Sequence, residues 1–366
     1  MIPFLDLKRG HEKLKKEIDE ALERVIYKNS YFVLGPEMGA FEEEFAKFCG
    51  SKYGVGVNSG TDALELAMRA VGVKEGDEVI VPVNTAIPTA MAILSTGATP
   101  VFVDVGEDYL IDSNKIEAII TPKTKAIIPV HLYGQACEMD TLLRIAKEHN
   151  LEIIEDACQA HGAMYKGKRV PIGDIGCFSF YPSKNLGALG DGGMVVTDNL
   201  GISKKVKLLR NYGQIDKYNA EIIGGNSRLD DLQAAILIVK LRDLENGNTL
   251  RVKHAGQYQN KLKDVNNIKL PINNSGSESV YHLYVVRTND RDGLKNYLDG
   301  KGIGNLIHYP LPLHLQKAFL GLGYKEGDFP NAERFAKEII SLPMFPELKP
   351  SEVDVVCDAV IDYFKK

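Results

Sequence analysis

Four short stretches of this chain carry side chains whose types and spacing could do chemistry together. The first holds Lys184, which follows the apolar run Phe178-Ser179-Phe180-Tyr181 and precedes the glycine-rich turn Gly190-Asp191-Gly192-Gly193. A lysine that is partly desolvated there has a lowered pKa and can act as a nucleophilic amine. The ordinary alternative is a lysine that lays its stem on the surface and keeps its ammonium in water. The second is Ile153-Ile154-Glu155-Asp156-Ala157-Cys158-Gln159, where Asp156 stands at the end of an apolar run. Open α/β sheets bind ligands at such carboxyl ends, and a carboxylate there can hold a heterocyclic nitrogen protonated. It could equally cap the next helix. The third, Asn58-Ser59-Gly60-Thr61-Asp62-Ala63-Leu64, is a small polar turn opening a helix. Its free N–H groups and the helix dipole suit a phosphate, although any capped helix start looks similar. The fourth, Gly224-Gly225-Asn226-Ser227-Arg228, read alone is a loop leading into a helix.

These groups need elements that bring them together. Apolar runs at 78–81, 100–103, 126–130, 152–155, 177–180 and 194–197 read as strands, and helical patterns at 62–71, 85–95 and 139–149 lie between them. The runs are apolar nearly throughout, as expected of a parallel sheet covered on both faces, and the alternation favours βαβ units. A helical stretch follows at 229–244, extending toward 262, and the polar segment 266–279 reads as a loop. A strand at 281–287 and helices at 291–301, 332–341 and 351–364 then predict a smaller α+β unit. With 366 residues, two domains are expected, 1–250 and 251–366, the first including an N-terminal helical segment.

Taken together, the stretches supply a phosphate seat, a partner for a ring nitrogen and an amine able to form an imine, which are the parts pyridoxal 5'-phosphate requires. In Asn58–Asp62, Glu155–Gln159, Ser179–Lys184 and Asn226–Arg228 the chain resembles the DegT/DnrJ/EryC1/StrS sugar aminotransferases, over nearly its whole length from Pro3-Phe4-Leu5-Asp6 to about Phe345. The resemblance implies a fold-type I architecture: a large, mostly parallel seven-stranded sheet domain and a smaller C-terminal α+β domain. It further implies that Lys184 forms the Schiff base and shuttles a proton, that Asp156 pairs with the pyridinium nitrogen, and that Gln159 sits against the ring hydroxyl. Gly60, Thr61 and Ser179 would hold the phosphate, and Asn226 would reach it from the neighbouring subunit of a homodimer with shared sites. Many relatives carry an aromatic residue over the ring where this chain has Ala86. A related branch that dehydrates its substrate has histidine in place of the lysine, and this chain keeps Lys184.

Asn211-Tyr212-Gly213 and His308-Tyr309-Pro310-Leu311-Pro312-Leu313-His314 resemble most the branch that aminates dTDP-3-keto-6-deoxyhexoses. The expected reaction gives a dTDP-3-amino-3,6-dideoxyhexose with L-glutamate as donor, and Tyr309 and His314 are expected near the sugar. A proline-stiffened loop with core histidines is the alternative for that segment. For the chain as a whole, the alternatives are amination at C4, or a pyridoxal-phosphate-binding regulator without turnover.

Composition narrows the other classes. A net charge of -5 with scattered Lys and Arg gives no reason to expect nucleic-acid binding. No apolar stretch approaches the roughly 18 residues that span a bilayer. Cys49, Cys137, Cys158, Cys177 and Cys357 form no CxxC pair, and no metal site is expected. They read as reduced thiols, and with no basic-then-apolar pattern in the first residues a cytoplasmic protein is expected.

Overall fold

The computed structural model describes residues 1–365. Its centre is a sheet built from β1 (Tyr53–Val57), β2 (Glu78–Pro82), β3 (Thr99–Val103), β4 (Thr124–Ile127), β5 (Glu152–Ile153), β6 (Glu155–Asp156), β9 (Ile175–Ser179) and β10 (Gly193–Thr197). Hydrogen bonding orders one half as β3-β2-β4-β5 and the other as β1-β10-β9-β6. One residue separates β5 from β6, and the halves join where Val130 bridges Asp156, whose N–H donates to the Pro129 carbonyl at 2.9 Å. Counting β5 and β6 as one strand gives the expected seven. All neighbours run parallel except β10, which is antiparallel to both β1 and β9.

The apolar runs are strands because helices cover them. Val79, Ile80 and Val81 of β2 are 0% exposed, and burying each such side chain contributes about 1.5–3 kcal/mol. The helices α3 (Pro36–Cys49), α4 (Gly60–Ala70), α5 (Ile87–Ser95), α6 (Met139–His149) and α7 (Leu200–Leu209) all pack on the sheet. α1 (Leu7–Lys13) and α2 (Lys15–Glu23) precede them, and α2 and α3 both pack on α8 (Asp231–Leu241). Strand β1 escapes sequence reading because Tyr-Gly-Val-Gly-Val breaks the apolar run with glycines. The structure gives the reason at Gly54, where a Cβ would lie 2.4 Å from the Glu42 carbonyl oxygen of α3.

A second core forms from α9 (Leu244–Leu262), α10 (Arg291–Gly300), α12 (Pro350–Phe364) and the antiparallel pair β14 (Tyr284–Arg287) and β15 (Ile339–Leu342). Tyr258, Tyr284, Leu294, Phe345 and Val356 fill it, and Ile2 joins them from the start of the chain. The helix expected over 332–341 is corrected here. α11 (Pro330–Glu338) stops at Glu338, and Ile339–Leu342 is a strand, because a short apolar run fits either period until a pairing partner decides. The segment 229–262 is two helices, α8 and α9, rather than one. Small ribbons complete the fold: β7 (Met164–Tyr165) between β8 (Lys168–Arg169) and β13 (Ser277–Glu278), and the hairpin β11 (Gln214–Asp216) with β12 (Asn219–Ala220).

Candidate active site

A cavity of about 330 Å³ opens where β1, β2, β6 and β9 end, lined by Ser59, Gly60, Thr61, Thr85, Ala86, Thr89, Asp156, Gln159, Ser179 and Lys184 among others. Its position beyond the carboxyl ends of parallel strands is the usual ligand site of open α/β sheets.

One wall is the start of α4. Ser59 caps the helix, its Oγ accepting the Asp62 N–H at 3.1 Å. The Ala63 N–H reaches the Ser59 carbonyl at 2.9 Å. The N–H groups of Gly60 and Thr61 have no intrahelical acceptor, as at any helix start, and remain for a ligand. Gly60 permits the close approach of this turn to β9, because a Cβ there would lie 2.6 Å from Ser179 Cβ and 2.8 Å from Cys158 Sγ.

Asp156 faces the same cavity and is 5% exposed. Its Oδ2 accepts from Thr89 Oγ1 at 2.8 Å and its Oδ1 from the Cys158 N–H at 3.1 Å. The preceding residue, Glu155, is fully buried and anchors the strand. It accepts from His131 Nε2 at 2.8 Å and from the Ile172 and Gly173 N–H groups. The Cys137 N–H donates to His131 Nδ1 at 3.0 Å, so the imidazole hydrogen lies on Nε2 and points at Glu155.

Lys184 enters from a turn closed by its own N–H to the Tyr181 carbonyl at 2.8 Å. Burial lowers its proton affinity below that of an ordinary lysine, and the neighbouring Cys158 thiol and Asp156 carboxyl only partly oppose this. Its surroundings are also hostile to further positive charge. Burial first, and then Lys184 itself, push His161 down to about 3 and His308 to about 4, and His282 well below the usual range.

Gln159 is held from both ends. Its Oε1 accepts the Tyr133 N–H at 2.8 Å and its Nε2 donates to Tyr309 Oη at 3.1 Å. Tyr133 Oη in turn donates to the His308 carbonyl. Tyr309 also lines a second, mostly apolar cavity of about 570 Å³, which shares Thr85, Ala86 and Pro88 with the first.

The structure thus brings Gly60, Thr61, Asp156, Gln159, Ser179, Lys184 and Ala86 to one cavity, with Tyr309 bonded at its edge. It does not bring His314 there. That ring is 0% exposed, bonds Glu333 at 3.0 Å and packs edge-on against Phe329 as a core residue. Nor does Asn226 reach this cavity in its own chain: it is exposed, bridged to Asn211 beside the β11–β12 hairpin.

A family model described as the DegT/DnrJ/EryC1/StrS aminotransferase family matches residues 12–361. The chain belongs to the DegT/DnrJ/EryC1/StrS aminotransferase family. It is 46% identical over 367 residues, 100% of this chain and 97% of the other, to the dTDP-3-amino-3,4,6-trideoxy-alpha-D-glucose transaminase of Streptomyces venezuelae. It is 47% identical over 365 residues, 99% of each chain, to the dTDP-3-amino-3,6-dideoxy-alpha-D-galactopyranose transaminase of Aneurinibacillus thermoaerophilus. The crystal structure of S. venezuelae DesV in complex with a ketimine intermediate superposes with a TM-score of 0.98 at 46% identity, covering 100% of this chain and 99% of that one.

For a member of the DegT/DnrJ/EryC1/StrS aminotransferase family, sequence reasoning missed three residues that the site uses. Thr89 Oγ1 and the Tyr133 N–H bond Asp156 and Gln159 directly, and Thr85 meets the Thr89 hydroxyl behind them. Thr85 and Thr89 lie in a helical pattern that gives no chemical signal, and Tyr133 acts through its backbone N–H, which any residue could supply.

Proposed function

We propose that this enzyme is a pyridoxal-phosphate-dependent aminotransferase that moves the amino group of L-glutamate onto C3 of a dTDP-3-keto-6-deoxyhexose. One observation carries it: a half-buried lysine of lowered proton affinity, a buried carboxylate and a helix start with unfilled N–H donors share one cavity. The identity to dTDP-3-amino-sugar transaminases over nearly the whole chain supports the sugar and the position of amination.

The residues present fit the cofactor. Gly60, Thr61 and Ser179 would hold its phosphate at the start of α4, where the helix dipole favours an anion. Asp156 would pair with the ring nitrogen and Gln159 would sit against the ring hydroxyl, its amide already fixed by Tyr133 and Tyr309. Lys184 would hold the aldehyde carbon through Nζ. When bound, the cofactor supplies a protonated ring that spreads the electron pair left when a proton leaves the neighbouring carbon. With its proton affinity lowered by burial, the amine of Lys184 has a larger neutral fraction near neutral pH, so it can take that proton and return it. Tyr309 would touch the sugar from the shared edge of the two cavities.

In this reading Asn226 reaches the phosphate of the neighbouring subunit, so the working unit is a homodimer. The exposed apolar side chains Tyr212, Ile215, Tyr218 and Ile223 around the β11–β12 hairpin support a covered surface there. In this reading the chain divides into domains 1–250 and 251–366; the second core, built mainly from residues after 251, supports it, with α9 running across the boundary and Ile2 joining from the start of the chain. A cytoplasmic location accords with five free cysteines, and among the described residues no helix is long and apolar enough to cross a membrane.

The deciding experiment offers dTDP-3-keto and dTDP-4-keto 6-deoxysugars with L-glutamate and identifies products by mass and NMR. Amination at C3 is expected. Amination at C4 alone would overturn the regiochemistry, and a bound cofactor whose visible band glutamate leaves unchanged would mark a regulator without turnover.

A further inference from the structure

Asp156 is an unusual carboxylate for its depth. It is 5% exposed, yet among the described residues no lysine, arginine or histidine forms an ion pair with it. A buried charge without a counter-ion is costly unless its oxygens are hydrogen-bonded and a cation arrives from outside the chain. One oxygen has the Cys158 N–H, and the other has Thr89 Oγ1 at 2.8 Å. Thr89 is 1% exposed in the first turn of α5, and its hydroxyl also meets Thr85 Oγ1 at 3.1 Å. An ionised carboxylate only accepts, so the single hydroxyl hydrogen of Thr89 belongs to Asp156. In the contact with Thr85, Thr89 is then the acceptor and Thr85 the donor. The two O–H dipoles point the same way, toward Asp156, and each strengthens the other.

We infer that Thr85 and Thr89 are positioning residues: a two-hydroxyl chain that holds Asp156 charged and aimed at the cofactor's ring nitrogen. This rests on the functional reading above. The chain is specific in its chemistry, because only a hydroxyl both accepts from one neighbour and donates to the next within so small a volume. Valine at 89 would fill nearly the same space and leave Oδ2 of Asp156 with no donor. Serine would restore the donor with one methyl fewer.

The test uses the full-length holoenzyme and the variants Thr89→Val, Thr89→Ser and Thr85→Val. Two readouts other than turnover are followed: the dissociation constant for pyridoxal phosphate, and the pH midpoint of the bound cofactor's visible band. Loss of a hydrogen bond to a charged group is expected to weaken cofactor binding about tenfold in Thr89→Val. The midpoint should move with it, Thr89→Ser should return both toward wild type, and Thr85→Val should shift both less and in the same direction. A purely structural role for Thr89 would instead lower the melting temperature of apoprotein and holoenzyme alike with the midpoint unmoved, and that result overturns the inference. If Thr89→Val does not fold, Thr85→Val decides: wild-type affinity and midpoint would then sink the chain. A wild-type protein that shows no visible band with pyridoxal phosphate would instead defeat the functional reading itself, so the two failures are distinguishable.

Discussion

Lys184 stands between two cavities of different character. On one side is the space of about 330 Å³ with Asp156, Gln159 and the start of α4. On the other is a space of about 90 Å³ bounded by His11, Lys240, Arg251 and Glu347. Both contain half-buried or buried cations, and burial pushes Lys240 down to about 8 just as it lowers Lys184. The difference lies in what the chain does with them. Lys240 donates to the Gly187 carbonyl and meets His11 Nε2 at 3.3 Å. Arg251 donates to the carbonyls of Tyr281, His282 and Met344 at 3.2, 3.2 and 3.0 Å. Lys184 has no such acceptor within the chain among the described residues. Groups the chain satisfies itself are structure, and groups it leaves open in a cavity are where a ligand is completed.

That contrast is broken or sharpened first by paired substitutions. Lys184→Ala should lower turnover by about 10³-fold or more, the scale seen when a covalent nucleophile is removed. Borohydride should then fail to fix the cofactor to the chain, read by intact mass. Lys240→Ala should keep turnover of the same order and reduce the melting temperature, since its bonds are to the chain's own carbonyl and imidazole. The opposite pattern would place the reacting amine at Lys240, in the smaller cavity.

A middle-sized effect concerns the histidines packed toward the lysine. His161 and His308 keep folded-state values of about 3 and about 4, against 6.5 unfolded, with burial the leading cause. Below pH 6.5 the unfolded chain therefore binds protons that the folded chain refuses. The stabilisation is fully present above 6.5 and is lost progressively as the pH falls toward 4. The melting temperature should fall by about 3 °C or more between those limits in calorimetry. A flat profile would mean that these rings take up protons as readily in the fold as in the unfolded chain, and that the surroundings of Lys184 tolerate further positive charge.

The smallest effect separates the ends of the His308–His314 segment. Tyr309→Phe removes the hydroxyl that Gln159 binds and should reduce kcat/KM about tenfold. His314→Gln should leave kcat/KM of the folded enzyme unchanged while lowering its thermal stability, because that ring bonds Glu333 in the core. A loss of activity without loss of stability in His314→Gln would return it to the substrate side.

Part of this site is legible from the sequence because the Asp156 and Lys184 motifs adjoin apolar runs that read as strands. Asp156 and Ser179 are the last residues of β6 and β9, so local order carries them to the right end of the sheet, whereas Ser59 to Thr61 are legible only as a helix start because β1 before them is not. The polar contacts that finish the site are not legible. Thr89 meets Asp156 across 67 residues and Gln159 meets Tyr309 across 150. No pattern of period 2 or 3.6 connects such positions. The same gap explains Ile339–Leu342, whose strand pairing with Tyr284–Arg287 no local pattern predicts.

By itself, the sequence determined which groups are available and the local frame of each: an amine after a strand, a carboxylate at a strand end, small residues opening a helix. The tertiary structure alone decided which of them are short of a partner. Charge state and hydrogen-bond satisfaction depend on how completely remote residues exclude water, and that exclusion exists only once the sheet has closed under its helices.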